Sequence, residues 1–224
     1  MNTTIKAQRL QTNTNLSLHF ENHYQGLPVM VQKGPLIREY LEMLYHTTQR
    51  ALEEHARVFA VRFDLRLPDG KPLPQDAFTN RVIQRFIDSL KAKIKHARER
   101  SRQVHGSAHS TSIHYAWARE IGQTGKPHHH FVLLLNKDAY CTLGSFNLSS
   151  DNMYSRLHGA WASALGLSLV ESYGLVHIPP NPQYRLDRVN AAEFAKFFER
   201  ASYLCKAATK VFRDGNHAFG CSRG

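Results

Sequence analysis

The residues best suited to chemistry are Glu120 and, eight residues beyond it, the run His128-His129-His130. Between them Gly122, Gly125 and Pro127 signal a turn, so the flanking segments are expected to pair as a hairpin. Strand side chains alternate between faces. A register with Glu120 opposite His128 and Ala118 opposite His130 therefore puts these three even-numbered groups on one face, with Cβ atoms about 5 Å apart across the strands. Two imidazoles and a carboxylate with open positions suit a divalent transition metal, or Mg²⁺ or Mn²⁺ assisted by substrate oxygens. His129 points to the other face. Three adjacent histidines also suit a solvated basic patch, and His105, His109 or His114 would supply further ligands to a structural zinc site. The matching parity of Glu120 favours the open centre.

A second group lies near the C-terminus. Tyr203 and Lys206 are three residues apart in a predicted helix, with Glu199 and Lys210 on the same stripe and Phe194, Phe197, Phe198, Ala201, Leu204, Cys205 and Ala208 on the other face. A tyrosine aligned with charges is available as a nucleophile, although packing at a helix rim is the commoner use. With an ordinary pKa of about 10 it needs a polarised electrophile and a nearby cation. On a third segment Arg62, Asp64 and Arg66 share a polar face, where the arginines can grip phosphate and Asp64 can support a metal, or where they simply form an intrastrand ion pair.

Elements of definite kinds must hold these groups. Residues 1–34 are rich in Asn, Thr and Gln and read as a flexible or accessory segment. Helical spacing of apolar residues runs from Pro35 to about Arg57, and Val58 to Leu67 alternates as a strand with Phe59, Val61, Phe63, Leu65 and Leu67 inward. A helix capped by Asp76 is expected to reach about Arg102, with a strongly basic second half. Strands Ser112–Ile121 and His128–Asn136 follow, then a helix from about Ser150 to Leu165, a short strand Gly174–Ile178, a proline-rich loop, and a last helix from Asn190 to about Thr209. The order implies an α+β domain over 35–213, a mainly antiparallel sheet with helices on one face, and a tail over 214–224.

Among 224 residues, 29 Lys and Arg stand against 18 Asp and Glu, a net charge of +11. That balance points to a polyanionic partner, most often nucleic acid. Candidate DNA contacts are Arg62, Arg66, the helix residues Lys91, Lys95 and Arg98, and the loop residues Arg185 and Arg188. Three cysteines with no C-x-x-C pair fit neither a disulfide framework nor a zinc ribbon, and suit a reducing cytoplasm. The longest apolar run, Phe131 to Leu135, is far below the ~20 residues of a membrane span, and Met1 to Leu10 has no apolar core of a secretory signal.

Together Glu120, Gly125-Lys126-Pro127-His128-His129-His130 and Tyr203-Leu204-Cys205-Lys206 resemble the HUH endonucleases, the initiators of rolling-circle replication. Val61 to Pro68, His128 through Tyr140 and Ser202 to Lys206 are most similar to the prophage YagK/YfjJ family, itself similar to inovirus replication proteins. The resemblance covers about residues 35–213. It implies a divalent metal, Mg²⁺ or Mn²⁺, on Glu120, His128 and His130, and Tyr203, aided by Lys206, as the nucleophile that cuts single-stranded DNA at a replication origin and stays attached as a 5′-phosphotyrosine. Two departures stand out: His129 replaces the usual apolar middle residue, and Arg62, Asp64 and Arg66 stand where viral initiators usually carry Thr. With Glu at position 199 the resemblance implies a one-tyrosine enzyme, for which ending a round would need a second protomer or another turnover. No G-x-x-x-x-G-K-[ST] occurs, so host helicase and polymerase are implied partners. The competing readings are a non-catalytic DNA-binding relative, a hydrolytic metallonuclease, and an RNA-binding module.

Overall fold

Phe131-Val132-Leu133-Leu134-Leu135 leaves no polar residue for a solvent-facing side, so the strand that carries it has to be covered on both faces. In the computed structural model, which describes residues 8–122 and 124–223, it is. The chain opens with five short strands, β1 (Arg9–Leu10), β2 (Asn13–His19), β3 (His23–Tyr24), β4 (Leu27–Pro28) and β5 (Leu36–Ile37), and enters α1 (Arg38–Glu54). There follow β6 (Arg57–Leu65), α2 (Arg81–His105), β7 (His114–Ile121), β8 (Pro127–Asn136), α3 (Met153–Leu165), β9 (Val176–His177), β10 (Gln183–Asp187), α4 (Ala191–Ser202) and β11 (Phe219–Cys221). The main sheet is antiparallel in the order β10-β6-β8-β7-β11, with β9 pairing the far end of β6. The class is α+β with a mainly antiparallel sheet, as the periodicities imply.

The helices flank both faces, where one was expected. Odd-numbered side chains of β6 and β8 (Phe59, Val61, Phe63, Phe131, Leu133) pack into one core with α2 and α3 residues such as Phe86, Ile94, Leu157 and Trp161. Even-numbered ones of β6, β7 and β8 (Val58, Ala60, Ala116, Ala118, Val132, Leu134) pack into a second core with α1 and α4. Three alanines on that face let the second helix layer approach closely. Its apolar stretch stops where β6 reaches Arg62 and Asp64 and β8 reaches His130, and there the polar groups collect.

The capping signals place the helix ends. Asn152 Oδ1 accepts from Ser155 N at 3.0 Å while Asn152 N donates to Ser155 Oγ, a capping box that starts α3. Gly144, at φ +83°, lets the chain pass that cap, because a Cβ there would lie 2.6 Å from the Asn152 side chain. Asn190 accepts from Glu193 N and starts α4. Asn80, not Asp76, precedes α2; Asp76 instead receives Arg85. α4 ends at Ser202, short of Thr209, and the chain turns through a 3-10 segment, Tyr203–Cys205, before Lys206 extends.

Both terminal segments are built into the fold. Within the first 34 residues, 8–34 contribute β1 to β4; residues 1–7 lie outside the described part, as do Gln123 of the β7–β8 turn and Gly224. Ser17 N and Oγ donate to Glu39 of α1, Tyr24 stacks on Phe198 of α4, and Met30 N donates to Ser202 Oγ at 2.9 Å. The expected C-terminal tail supplies β11, which borders β7 with Gly220 directly over the Trp117 indole. The proline-rich loop between β9 and α4 also holds an unforeseen strand, β10. Among the described residues no helix is long and apolar enough to cross a membrane.

Candidate metal centre

β7 and β8 pair in the register the side-chain parity requires: Glu120 faces His128 and Ala118 faces His130. One ligand atom from each of Glu120, His128 and His130 lies within 4.8 Å of the others. Glu120 and His130 are nearly buried, at 2 % and 6 % exposure, while His128 is partly open. β6, on the other side of β8, sets Asp64 opposite His130, and Asp64 Oδ1 holds His130 Nδ1 at 2.6 Å. With Nδ1 engaged, the buried His130 Nε2 has no hydrogen-bond partner and stands 3.4 Å from Glu120 Oε2. A carboxylate behind a histidine and an orphaned nitrogen in front of it is how a ligating imidazole is normally oriented, so the donor set fits a divalent metal.

The electrostatics keep the donors in their ligating forms. Burial pushes the Glu120 carboxyl up, but the adjacent His130 imidazole and the Lys210 charge outweigh it and hold it well below the usual carboxylate range. Asp64 is likewise held down to about 2, its burial offset by His130, Arg62 and His177. Burial, reinforced by the neighbouring His130, lowers His128 and favours its neutral form.

Tyr203 stands beside this group. Its ring meets His130 edge-on at 5.2 Å, and the Arg62 guanidinium lies 5.0 Å from its centre. Lys206 Nζ donates to Tyr203 Oη at 2.7 Å and sits 3.1 Å from Glu120 Oε2, so one ammonium joins the hydroxyl to the carboxylate. Burial disfavours the charge on Lys206, yet its bond to Tyr203 and the Glu120 charge raise its pKa overall. The pair meets because a 3-10 turn has three residues per turn, which eclipses side chains three apart. Lys206 is fixed there by the N-terminal segment: it bridges Leu36 of β5, and Ala207 N donates to Pro35 O at 2.9 Å.

The other predicted residues have varied fates. Arg62 is buried between Asp64 and Tyr203, not spread on the surface. Arg66 is exposed and, with Asp64, Lys126, His128 and His130, lines a cleft of about 280 Å³ that opens onto the centre. Lys91 and Lys95 are exposed on α2, and Arg185 is exposed on β10. Arg98 lies over the Tyr140 ring. Arg188 is engaged with the carbonyls of Leu52 and Glu53 at the end of α1, which takes up the fork that was assigned to DNA. Glu199 makes no side-chain contact with the centre among the described residues. His129, on the opposite face, is buried against Trp117.

Two residues at the site were not expected there, although Lys210 shares the Tyr203–Lys206 stripe in the sequence. Lys210 reaches back from beyond the 3-10 turn to Glu120 Oε1 at 2.9 Å, with its side chain fully buried. Continuing α4 through it hid that reach. His177, brought in by two-residue β9, contacts Asp64 Oδ2 at 3.2 Å, and nothing in its local sequence signals this.

Fold and site together define an α+β protein with a candidate two-histidine, one-carboxylate metal centre at the end of an antiparallel sheet. The chain belongs to the YagK/YfjJ C-terminal domain family, whose model matches residues 20–222. Uncharacterised YfjJ of Escherichia coli strain K12 is 35 % identical over 202 residues, covering 85 % of this chain and 97 % of that protein. YagK of the same strain, also uncharacterised, is 35 % identical over 211 residues, covering 89 % and 97 %. The match takes in β3, β4 and β11, which the expected limits of 35–213 left out. The N-terminal nuclease domain of the minute virus of mice non-structural protein 1 overlaps 81 % of this chain and 78 % of that one at 13 % identity and a TM-score of 0.26, a level that carries no argument.

Proposed function

We propose that this chain is a metal-dependent, single-tyrosine DNA strand transferase of the HUH type, which nicks single-stranded DNA at a phage or prophage origin to start rolling-circle replication. The observation that carries the reading is the Lys206 ammonium, bonded at once to the Tyr203 hydroxyl and to Glu120 of the candidate metal centre. A tyrosine used only for packing has no need of that link.

Glu120, His128 and His130 hold the divalent cation, Mg²⁺ or Mn²⁺, with Asp64 orienting His130. When bound, the cation polarises the scissile phosphate and offsets its growing charge. Tyr203 Oη forms a bond to phosphorus while the bond from phosphorus to the 3′ oxygen breaks; the phenol proton passes to solvent and the 3′ oxygen takes one up. Lys206 supplies a positive charge at the oxygen where phenolate character develops. Arg62, Lys206 and Lys210 outnumber Asp64 and Glu120 by three to two, which suits an incoming phosphodiester. Arg66 is open to solvent at the cleft and is placed to meet the strand. The phosphotyrosine conserves the bond energy, so rejoining needs no ATP. Unwinding and synthesis fall to the host helicase and polymerase in the cytoplasm, and a second protomer can supply the second tyrosine that ends a round.

The test is a denaturing gel of the protein incubated with labelled single-stranded oligonucleotides from its own replicon and Mn²⁺, beside Tyr203→Phe. A shifted band that survives denaturation, and is lost with EDTA and in the variant, is expected. Cleaved product with no attached protein would replace strand transfer by hydrolysis. Binding without cleavage across a broad set of origin sequences would make the chain a non-catalytic DNA-binding relative.

A further inference from the structure

A second cluster of cations surrounds a pocket that strand transfer does not use. Tyr140 lies on the turn after β8, and the guanidinium carbons of Arg98 on α2 and Arg156 on α3 stand 4.8 and 5.9 Å from its ring centre. With Arg100 and Asp151 they line a cavity of about 380 Å³ where the end of α2 meets the start of α3. From His130 to Asn136, β8 advances by about 3.3 Å per residue, so the pocket lies roughly 20 Å from the metal centre, at the opposite end of the sheet.

Its charges are unbalanced. Asp151 is shared by Arg100 and Arg156, and Arg98 has no carboxylate partner among the described residues. Three guanidinium groups thus converge against one carboxylate. Tyr140 is only 9 % exposed, and both its hydroxyl and Arg98 Nε are buried without a hydrogen-bond partner. Buried polar groups left unpaired beside like charges are costly, and an anion seated among them removes both costs. A guanidinium stacked on an aromatic ring keeps its N–H edge for the two parallel bonds that a phosphate accepts.

The approach to the pocket indicates which kind of anion. Lys91, Lys95, Arg98 and Arg102 recur along one stripe of α2, which meets the cavity at Arg98. A row of cations leading into a pocket matches a polymer of phosphates better than a single small ion.

We propose that the Arg98–Tyr140–Arg156 pocket binds a backbone phosphate of the DNA, far from the bond that is cut. This rests on the strand-transfer reading only in taking DNA as the partner. Fluorescence anisotropy of a labelled single-stranded oligonucleotide long enough to span both ends of the sheet, titrated across salt concentrations with EDTA present, separates the possibilities. Arg98→Gln and Arg156→Gln should each flatten the slope of log K against log salt by about 0.7, the loss of one phosphate contact. Tyr140→Phe, which keeps the stack and removes the hydroxyl, should weaken binding with an unchanged slope, and Asp151→Asn should tighten it. Native slopes in both folded arginine variants, with the parent protein binding normally, would overturn the pocket and leave strand transfer standing. Should those variants fail to fold, unchanged or weaker binding by Asp151→Asn overturns it instead. No salt-sensitive binding by the parent protein overturns both proposals.

Discussion

Asp64 touches no ligand position itself, yet it fixes His130 by taking the Nδ1 side of the ring and leaving Nε2 free. Removing its charge should loosen that tautomer without touching the three donors. Asp64→Asn is therefore expected to weaken Mn²⁺ binding about 10- to 100-fold by calorimetry, the usual cost of losing a carboxylate behind a ligating histidine. His177, the other partner of Asp64, should then lose its anchor in the same variant. At this scale the sequence was informative about the candidate ligands and about Asp64 behind them, and poor about the supports that arrive from farther along the chain. Glu120, His128 and His130 announce themselves because side-chain parity in a hairpin is a local rule. Lys210 and His177 reach the same place through a turn and a two-residue strand, and no local pattern encodes either reach.

At the scale of elements, continuity of apolar residues was the signal to weigh more heavily than alternation. The run Phe131 to Leu135 already required cover on both faces, and the polar residues Arg62 and Asp64 marked the end of a buried face, not an open one. The Asn- and Thr-rich opening looked loose because two-residue strands carry almost no periodicity; long-range contacts to Glu39, Phe198 and Ser202 order it. Those contacts give a definite expectation. Deleting residues 1–34 should do more than trim an arm, because it uncovers Leu36, Leu41 and Phe198 and removes the support next to the Lys206 bridge. The truncated protein is expected to melt at a markedly lower temperature by circular dichroism and to form little tyrosine adduct. A full-length melting temperature in the truncated chain would show that these strands merely rest on the domain.

For the whole molecule, folding buries histidines in the neutral state. Burial lowers His158 to about 4, and burial together with the Arg119 charge lowers His129 to about 3. The unfolded chain therefore takes up protons that the folded one refuses between about pH 6.5 and pH 4. Stability should be complete above that window and fall as the pH drops through it. The depressed Asp64 and Glu120 act only lower, losing their contribution as they protonate below about pH 4. His158 is 1 % exposed, with both ring nitrogens unpartnered among the described residues. Urea unfolding of His158→Leu should accordingly recover about 2 kcal/mol of the stability the parent protein loses between about pH 7.5 and pH 5. An equal acid loss in both proteins would assign the sensitivity elsewhere.

The 3-10 turn at Tyr203 has a consequence for how this chain can change over time. In an α-helix, side chains three residues apart are offset by about 60°, whereas in this turn they lie one above the other. Inserting or deleting one residue between Tyr203 and Lys206 would swing the ammonium about a third of the way round the axis, out of reach of the hydroxyl. Leu204 and Cys205, the two residues between them, are fully buried, so they also have little freedom in size. Under the proposed strand transfer, descendants of this chain can exchange many surface residues, but the count of two between tyrosine and lysine is a spacing they cannot edit.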